Sequence, residues 1–167
     1  MKIDAMNTKD ILGAIDTYGY GTDELTDDDV TQLIVELYRR SGCSDDDCSD
    51  VEVNAKNGVG YEALINGALK HIPKHSVVLY QAEDTVDGDS FIKLLTYSRE
   101  EAIRTARSDW DHLTPREQKT HSVSVNAYTL ELPTDSEFGP KEAWEYAHDY
   151  DYSRLGSYDT IEWREEE

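Results

Sequence analysis

The chain has 167 residues, 36 of them Asp or Glu against 16 Lys or Arg, for a formal net charge of −20. Its length suits one ordinary domain, or a domain plus a small appendage, and is enough to bury a core without disulfide or metal support. The charge disfavours direct binding to nucleic acid or to an anionic membrane, since both would repel it, and no run approaches the ~18 apolar residues of a membrane span.

Taken in chain order, Thr8 reads as the N-cap of a short helix with Ile11, Leu12 and Ile15 on one side, ending before Tyr18-Gly19-Tyr20-Gly21. Thr26 and Asp29 have capping-box spacing, and Asp27, Asp28 and Asp29 suit the positive end of a helix dipole. Val30, Leu33, Ile34, Leu37 and Tyr38 then trace one apolar face, with Arg39 and Arg40 in the last turn and Gly42 beyond. Residues 43–60 are polar and rich in Asp, Asn and Gly, which predicts a loop with a short extended piece at Val51–Val53. A third helix is expected from Tyr61 to Lys70, closed by Pro73.

Past Pro73 the pattern turns to strands: Ser76–Tyr80, an acidic linker Gln81–Asp89 containing Asp87-Gly88, then Ser90–Tyr97. The expectation is a hairpin with a loop longer than the two-residue minimum. Ser98 and Glu101 cap a helix running to Leu113 through Ala102, Ile103, Ala106 and Trp110. Thr114-Pro115-Arg116-Glu117 repeats the cap signal for a single turn, and Ser122–Leu132 alternates like a returning strand. Pro140 starts a last helix to about Tyr150 with Ala143, Trp144 and Ala147 inward, and Thr160–Trp163 reads as an edge strand before an acidic tip. The fold class is therefore α+β: a helical N-terminal half, a small antiparallel sheet built as hairpin, helix and returning strand, and a C-terminal helix. We expect one domain over residues 1–167, mainly helical to 75, a strand-strand-helix-strand unit over 76–132, and an acidic helix and tail over 133–167.

Catalytic signatures are missing. Tyr18-Gly-Tyr-Gly21 follows a helix and so lacks the strand-to-helix context of a phosphate loop, and neither Gly-x-Ser-x-Gly nor His-Glu-x-x-His occurs. His71 and His75 have ligand spacing, but Pro73 between them breaks the helix. His112 and His121 flank a helix terminus, where capping explains them. Asp45, Asp46, Asp47 and Asp50 lack the alternate spacing of a calcium loop; Asp84, Asp87 and Asp89 around Gly88 come closer but lack the closing Glu. Cys43 and Cys48 have no second Cys/His pair for zinc and read as two free thiols. No cofactor, no metal and no enzymatic activity are expected, although carboxylates converging in space for a metal-dependent hydrolase are an alternative that sequence leaves open.

Charge placement says more than the total. Residues 1–89 hold 19 acids and 7 bases, net −12, and residues 90–167 hold 17 and 9, net −8, yet within these 90–132 are balanced at six each. The excess falls in Asp23–Asp29, Asp45–Glu52, Glu83–Asp89 and Asp135–Glu167. Solubility asks for a net charge of only about 2–8 in a small domain. A compact chain of this size is about 40 Å across, and 20 charges are what about 34 Å of duplex DNA carries. Aromatics interleave with these acids: Tyr18 and Tyr20 before the first cluster, and Tyr146, Tyr150, Tyr152 and Tyr158 among the last. The expected contact surface is Asp23, Glu24, Asp27, Asp28 and Asp29 together with Asp45, Asp46, Asp47, Asp50 and Glu52.

The stretch LTYSREEAIRTARSDWDHLTPREQKTHSVSVNAY, residues 95–128, resembles a strand-helix-strand segment of small accessory proteins of phages and bacterial mobile elements. With the size and acidity it makes the chain similar in type to inhibitors of host defence, the anti-CRISPR proteins and the DNA-mimicking anti-restriction proteins. These share no motif, so no functional residue is carried over. The resemblance implies a non-enzymatic DNA mimic that blocks the basic DNA-binding channel of a defence nuclease, most of all Cas9, in the cytoplasm of a bacterial host. The expected partner is a basic nucleic-acid-binding protein, a Cas9-type effector or a restriction enzyme, with no direct nucleic-acid or membrane binding; an acidic adaptor for another basic protein is the alternative.

Overall fold

The structure, a computed structural model, describes residues 2–18, 25–44, 48–57 and 60–150, with the backbone alone for 19, 45–47 and 158–163. It divides into two compact units, Met1–His75 with Pro133–Glu137, and Ser76–Leu132 with Phe138–Glu167. No helix among the described residues is long and apolar enough to cross a membrane.

The first unit is helical: α1 spans Thr8–Gly19, α2 Asp27–Arg40, α3 Asp45–Lys56 and α4 Tyr61–Leu69. Thr8 is not the cap of α1. Asn7 is: its Oδ1 accepts from the Asp10 amide at 2.8 Å and Asp10 returns a carboxylate to the Asn7 amide. Thr8 is thereby fully buried and its hydroxyl turns to Asp135. The helix also runs on through Tyr18 to Gly19. The Thr26–Asp29 capping box of α2 forms as the spacing predicts, and Val30, Leu33, Ile34 and Leu37 are fully buried. Helix α2 is the hub, with α1, α3 and α4 all packed against it.

Residues 45–56, expected as a loop with an extended piece, are helical instead. The Ser44 carbonyl accepts the first intrahelical bond, from Cys48, which makes Ser44 the N-cap. Cys48, Val51 and Ala55, spaced 3 and 4 apart, are buried. Three small apolar residues in a polar stretch are a weak stripe, and packing against α2 supplies the stability that propensity does not.

In the second unit, β1 (Lys74–Val86), β2 (Asp89–Thr96), β3 (His121–Pro133) and β4 (Tyr158–Trp163) form one sheet of order β2-β1-β3-β4. The β1/β2 and β3/β4 pairs are antiparallel. Contacts between Ser76 and Glu131, Gln81 and Asn126, and Asp84 and His121 show that β1 and β3 also run in opposite senses. The hairpin is tighter than expected. Strand β1 continues through the acidic stretch to Val86, and Asp87 (φ 52°) with Gly88 (φ 91°) closes a two-residue turn. Positive φ at both positions matches the twist of the flanking strands. A bulge in the ladder at Ala82/Glu83 leaves Lys93 of β2 without a β1 partner.

Helix α5 (Arg99–His112) covers one face of this sheet: Ala102 and Ala106 pack with Ala82, Val123 and Val125, bordered by Leu94, Trp110 and Leu113. Helix α6 (Pro140–Tyr150) meets the opposite face, where Trp144 packs edge-on against Tyr128 with ring centroids 5.1 Å apart. Coverage on both sides explains why Val123, Ser124, Val125 and Asn126 are all buried in succession. Trp144, expected inward, is half-buried, while Tyr146 joins Ala143 and Ala147 in the core. His121 opens a strand rather than capping a helix, and pairs with Asp84.

Candidate protein-interaction surface

Helices α2 and α3 are joined by only four residues, Ser41–Ser44, and the Asp28 carboxylate acts on Lys56 at the far end of α3. The pair is therefore an antiparallel hairpin. At 1.5 Å per residue α2 is about 21 Å long and α3 about 18 Å. Of the acids expected to make one contact surface, Asp27–Asp29 in the first turn of α2 and Asp45–Asp47 in the first turn of α3 thus sit at opposite ends of this hairpin, with Asp50 and Glu52 further along α3. Asp23 and Glu24 lie outside the described residues.

The carboxylates differ in what they are committed to. Asp29 accepts from the Thr26 amide and hydroxyl, and these bonds hold its carboxyl below the usual Asp range. Asp27 takes the Tyr18 hydroxyl. Glu52 pairs with Lys56 at 2.7 Å, and that bond raises the lysine above its ordinary value. Asp28 and Asp50 are exposed, with no hydrogen bond or ion pair among the described residues. Helical spacing puts Asp50 and Val53 on one face of α3, and Val53 is 55% exposed. Asp28, Asp50 and Val53 are thus exposed groups of this hairpin.

Elsewhere acids serve the fold. Glu36 receives Arg39 at 2.9 Å and Arg40 at 3.0 Å. Glu117 caps its short turn through Thr114, whose bonds lower its carboxyl, and Glu101 accepts from Thr96 at 2.7 Å. The Asp84, Asp87, Asp89 group does not gather round a cation: Asp84 is turned to His121, with both its oxygens 3.0 Å from Nδ1. Among the described residues no three His, Cys, Asp or Glu side chains converge as a metal site.

The interleaved tyrosines divide as well. Tyr146 is buried against Phe138, ring centroids 5.2 Å apart, and Tyr150 packs on Tyr146, so these two belong to packing. Tyr20 and Tyr152 lie outside the described residues, as does the side chain of Tyr158. Exposed apolar groups that sequence reasoning passed over are Phe91 and Ile92 on β2, invisible until the outer position of that strand is known. A groove of about 490 Å³ also runs along α5, lined by Ile103, Arg104, Arg107 and Ser108 between Glu100 and His112. It lies on the charge-balanced part of the sequence.

Comparison with protein-family models, with curated proteins and with solved structures finds no match.

Proposed function

We propose that this protein is a non-enzymatic inhibitor that presents carboxylates to the basic DNA-binding channel of a bacterial defence nuclease, a Cas9-type effector first among them. The observation that carries the reading is the surplus of 20 negative charges, part of it displayed along the α2/α3 hairpin. The distance of about 20 Å between the two acidic helix starts corresponds to about six base pairs of duplex at 3.4 Å each. Arginines that read phosphates and guanine edges accept carboxylates in the same bidentate geometry.

The test measures DNA cleavage by purified Cas9–guide complex, and in parallel by a restriction endonuclease, across a salt series. Inhibition is expected at low salt and to fall steeply as salt rises. The D28K/D50K variant, which moves the net charge from −20 by +4 to −16, should lose inhibition by about tenfold or more. Inhibition indifferent to both salt and charge reversal would remove the mimic mechanism. Failure to inhibit either nuclease, with salt-sensitive binding to another basic protein, would move the assignment to an acidic adaptor.

A further inference from the structure

The connection between α2 and α3 is held by two interlocking end motifs. The Gly42 amide donates to the Arg39 carbonyl at 3.2 Å and the Cys43 amide to the Tyr38 carbonyl at 3.1 Å, with Gly42 at φ 84°. This is the Schellman arrangement, and it puts Cys43 at the position whose side chain returns to Tyr38 on the last turn of α2. The Cys43 thiol does act on the Tyr38 phenol, which burial and then that thiol push above its ordinary range. One residue later Ser44 caps α3, so Cys43 is also the residue just before the cap, and Cys48 is the fourth residue of the helix. Those are the two positions whose side chains meet in a hydrophobic staple.

Cys48 is buried and Cys43 half-buried, and neither is in a disulfide. The pair therefore consists of one thiol that a reagent can reach and a second, buried one five residues on, in the second turn of α3. A staple packs the side chains of these two positions against each other, the approach a disulfide needs if its Cβ atoms are to come within roughly 3.5–4.5 Å. We propose that Cys43 and Cys48 form a reversible redox pair, closing a disulfide across the N-terminus of α3.

A small-molecule disulfide such as oxidised glutathione is the oxidant. The Cys43 thiolate attacks one of its sulfurs and releases one glutathione thiolate. Cys48 then gives its proton to solvent and attacks the Cys43 sulfur of the mixed disulfide, releasing the second. The protein gives up two electrons and two protons, and oxidised glutathione becomes two thiols. Asp45, Asp46 and Asp47 lie inside the ring that closes, so oxidation pins the backbone of the first turn of α3.

The full chain is incubated with oxidised glutathione, alkylated with iodoacetamide in denaturant, and digested with trypsin, whose cleavage after Arg40 and Lys56 leaves both cysteines in one peptide. The expected peptide has lost the mass of two hydrogen atoms and carries neither alkyl group nor glutathione. In the C48S variant the reaction should stop at a stable glutathione adduct on Cys43, and in C43S Cys48 should stay alkylatable. A wild-type peptide that ends as a glutathione adduct on Cys43 with Cys48 alkylated would overturn the pairing. So would alkylation of both cysteines at glutathione ratios that oxidise the C48S variant, or a disulfide between two chains.

Discussion

The Asp135 carboxylate accepts two hydrogen bonds from Thr8, from its amide at 3.0 Å and its hydroxyl at 2.8 Å, across 127 residues of sequence. Arg40 adds a third contact at 3.3 Å, and the neighbouring Ser136 hydroxyl takes the amide of Lys9. One short segment, 133–137, thus satisfies two of the donors that the start of α1 would otherwise leave without partners, and this is why it belongs with the helical unit.

That relationship sets an acid sensitivity. Burial pushes the Asp135 carboxyl up, but the bonds from Ser136 and Thr8 and the Arg40 guanidinium outweigh it and hold it below the usual Asp range. A depressed folded value means the stabilisation is complete above the ordinary Asp value of about 3.9 and is lost as pH falls through the folded one. D135N should lower stability at neutral pH by about 1–2 kcal/mol, discounted because the side chain is 40% exposed. The deficit should shrink towards pH 3 as the wild-type carboxylate is protonated. Urea unfolding at a series of pH values, followed by far-UV circular dichroism, measures both.

Gly67 gives a prediction whose sign depends on one atom. A Cβ there would stand 2.5 Å from the Tyr38 hydroxyl oxygen but 3.5 Å from the ring carbon bearing it. In the wild-type background G67A should destabilise by about 1 kcal/mol, the overlap outweighing the gain in helix propensity. In a Y38F background the overlap disappears and the same change should stabilise by up to about 1 kcal/mol. A double-mutant cycle on urea midpoints tests the reversal.

The Asp87-Gly88 turn should be intolerant on one side only. Gly88 has φ 91°, where any Cβ is strained, so G88A should cost about 1–2 kcal/mol. D87G, at φ 52°, removes a Cβ from a left-handed residue and should fall within about 0.5 kcal/mol of wild type. Thermal midpoints compare the two.

His121 and Asp84 tie the first residue of β3 to β1 with side chains only 17% and 10% exposed. H121A leaves a largely buried carboxylate without its partner and should cost about 2–3 kcal/mol, whereas replacing both, D84V/H121V, should cost less than H121A alone. Equal losses in the two variants would mean that packing, not the Asp84–His121 hydrogen bond, is what matters there.

Much of the fold is legible in local pattern. The Thr26–Asp29 box, the buried stripe Val30-Leu33-Ile34-Leu37, the Thr114–Glu117 turn and the Ser98 cap are spelled in residues within a few positions of one another, and each forms in the structure. The failures share a cause. Helix α3 hides its three buried residues in polar sequence, and β1 carries Glu83 and Asp84 into the sheet because Asp84 finds His121 there. Both are decided by partners outside the segment itself: the neighbouring α2 for α3, and His121, 37 residues on, for β1. The candidate surface divides in the same way: sequence picks out the acids, and only the antiparallel packing of α2 on α3 separates them into two ends.

Composition and local pattern by themselves determined the α+β class, the large negative charge and most helix boundaries, because hydrophobic period, capping and turn chemistry act over a few residues. Tertiary structure decided which carboxylates are consumed by the fold and which remain outward. Asp29, Glu36, Asp84 and Asp135 are held by Thr26, Arg39 and Arg40, His121, and Thr8, while Asp28 and Asp50 face solvent. A carboxylate's commitment depends on what is brought within hydrogen-bond reach of it, and for Asp84 and Asp135 that donor lies 37 and 127 residues away.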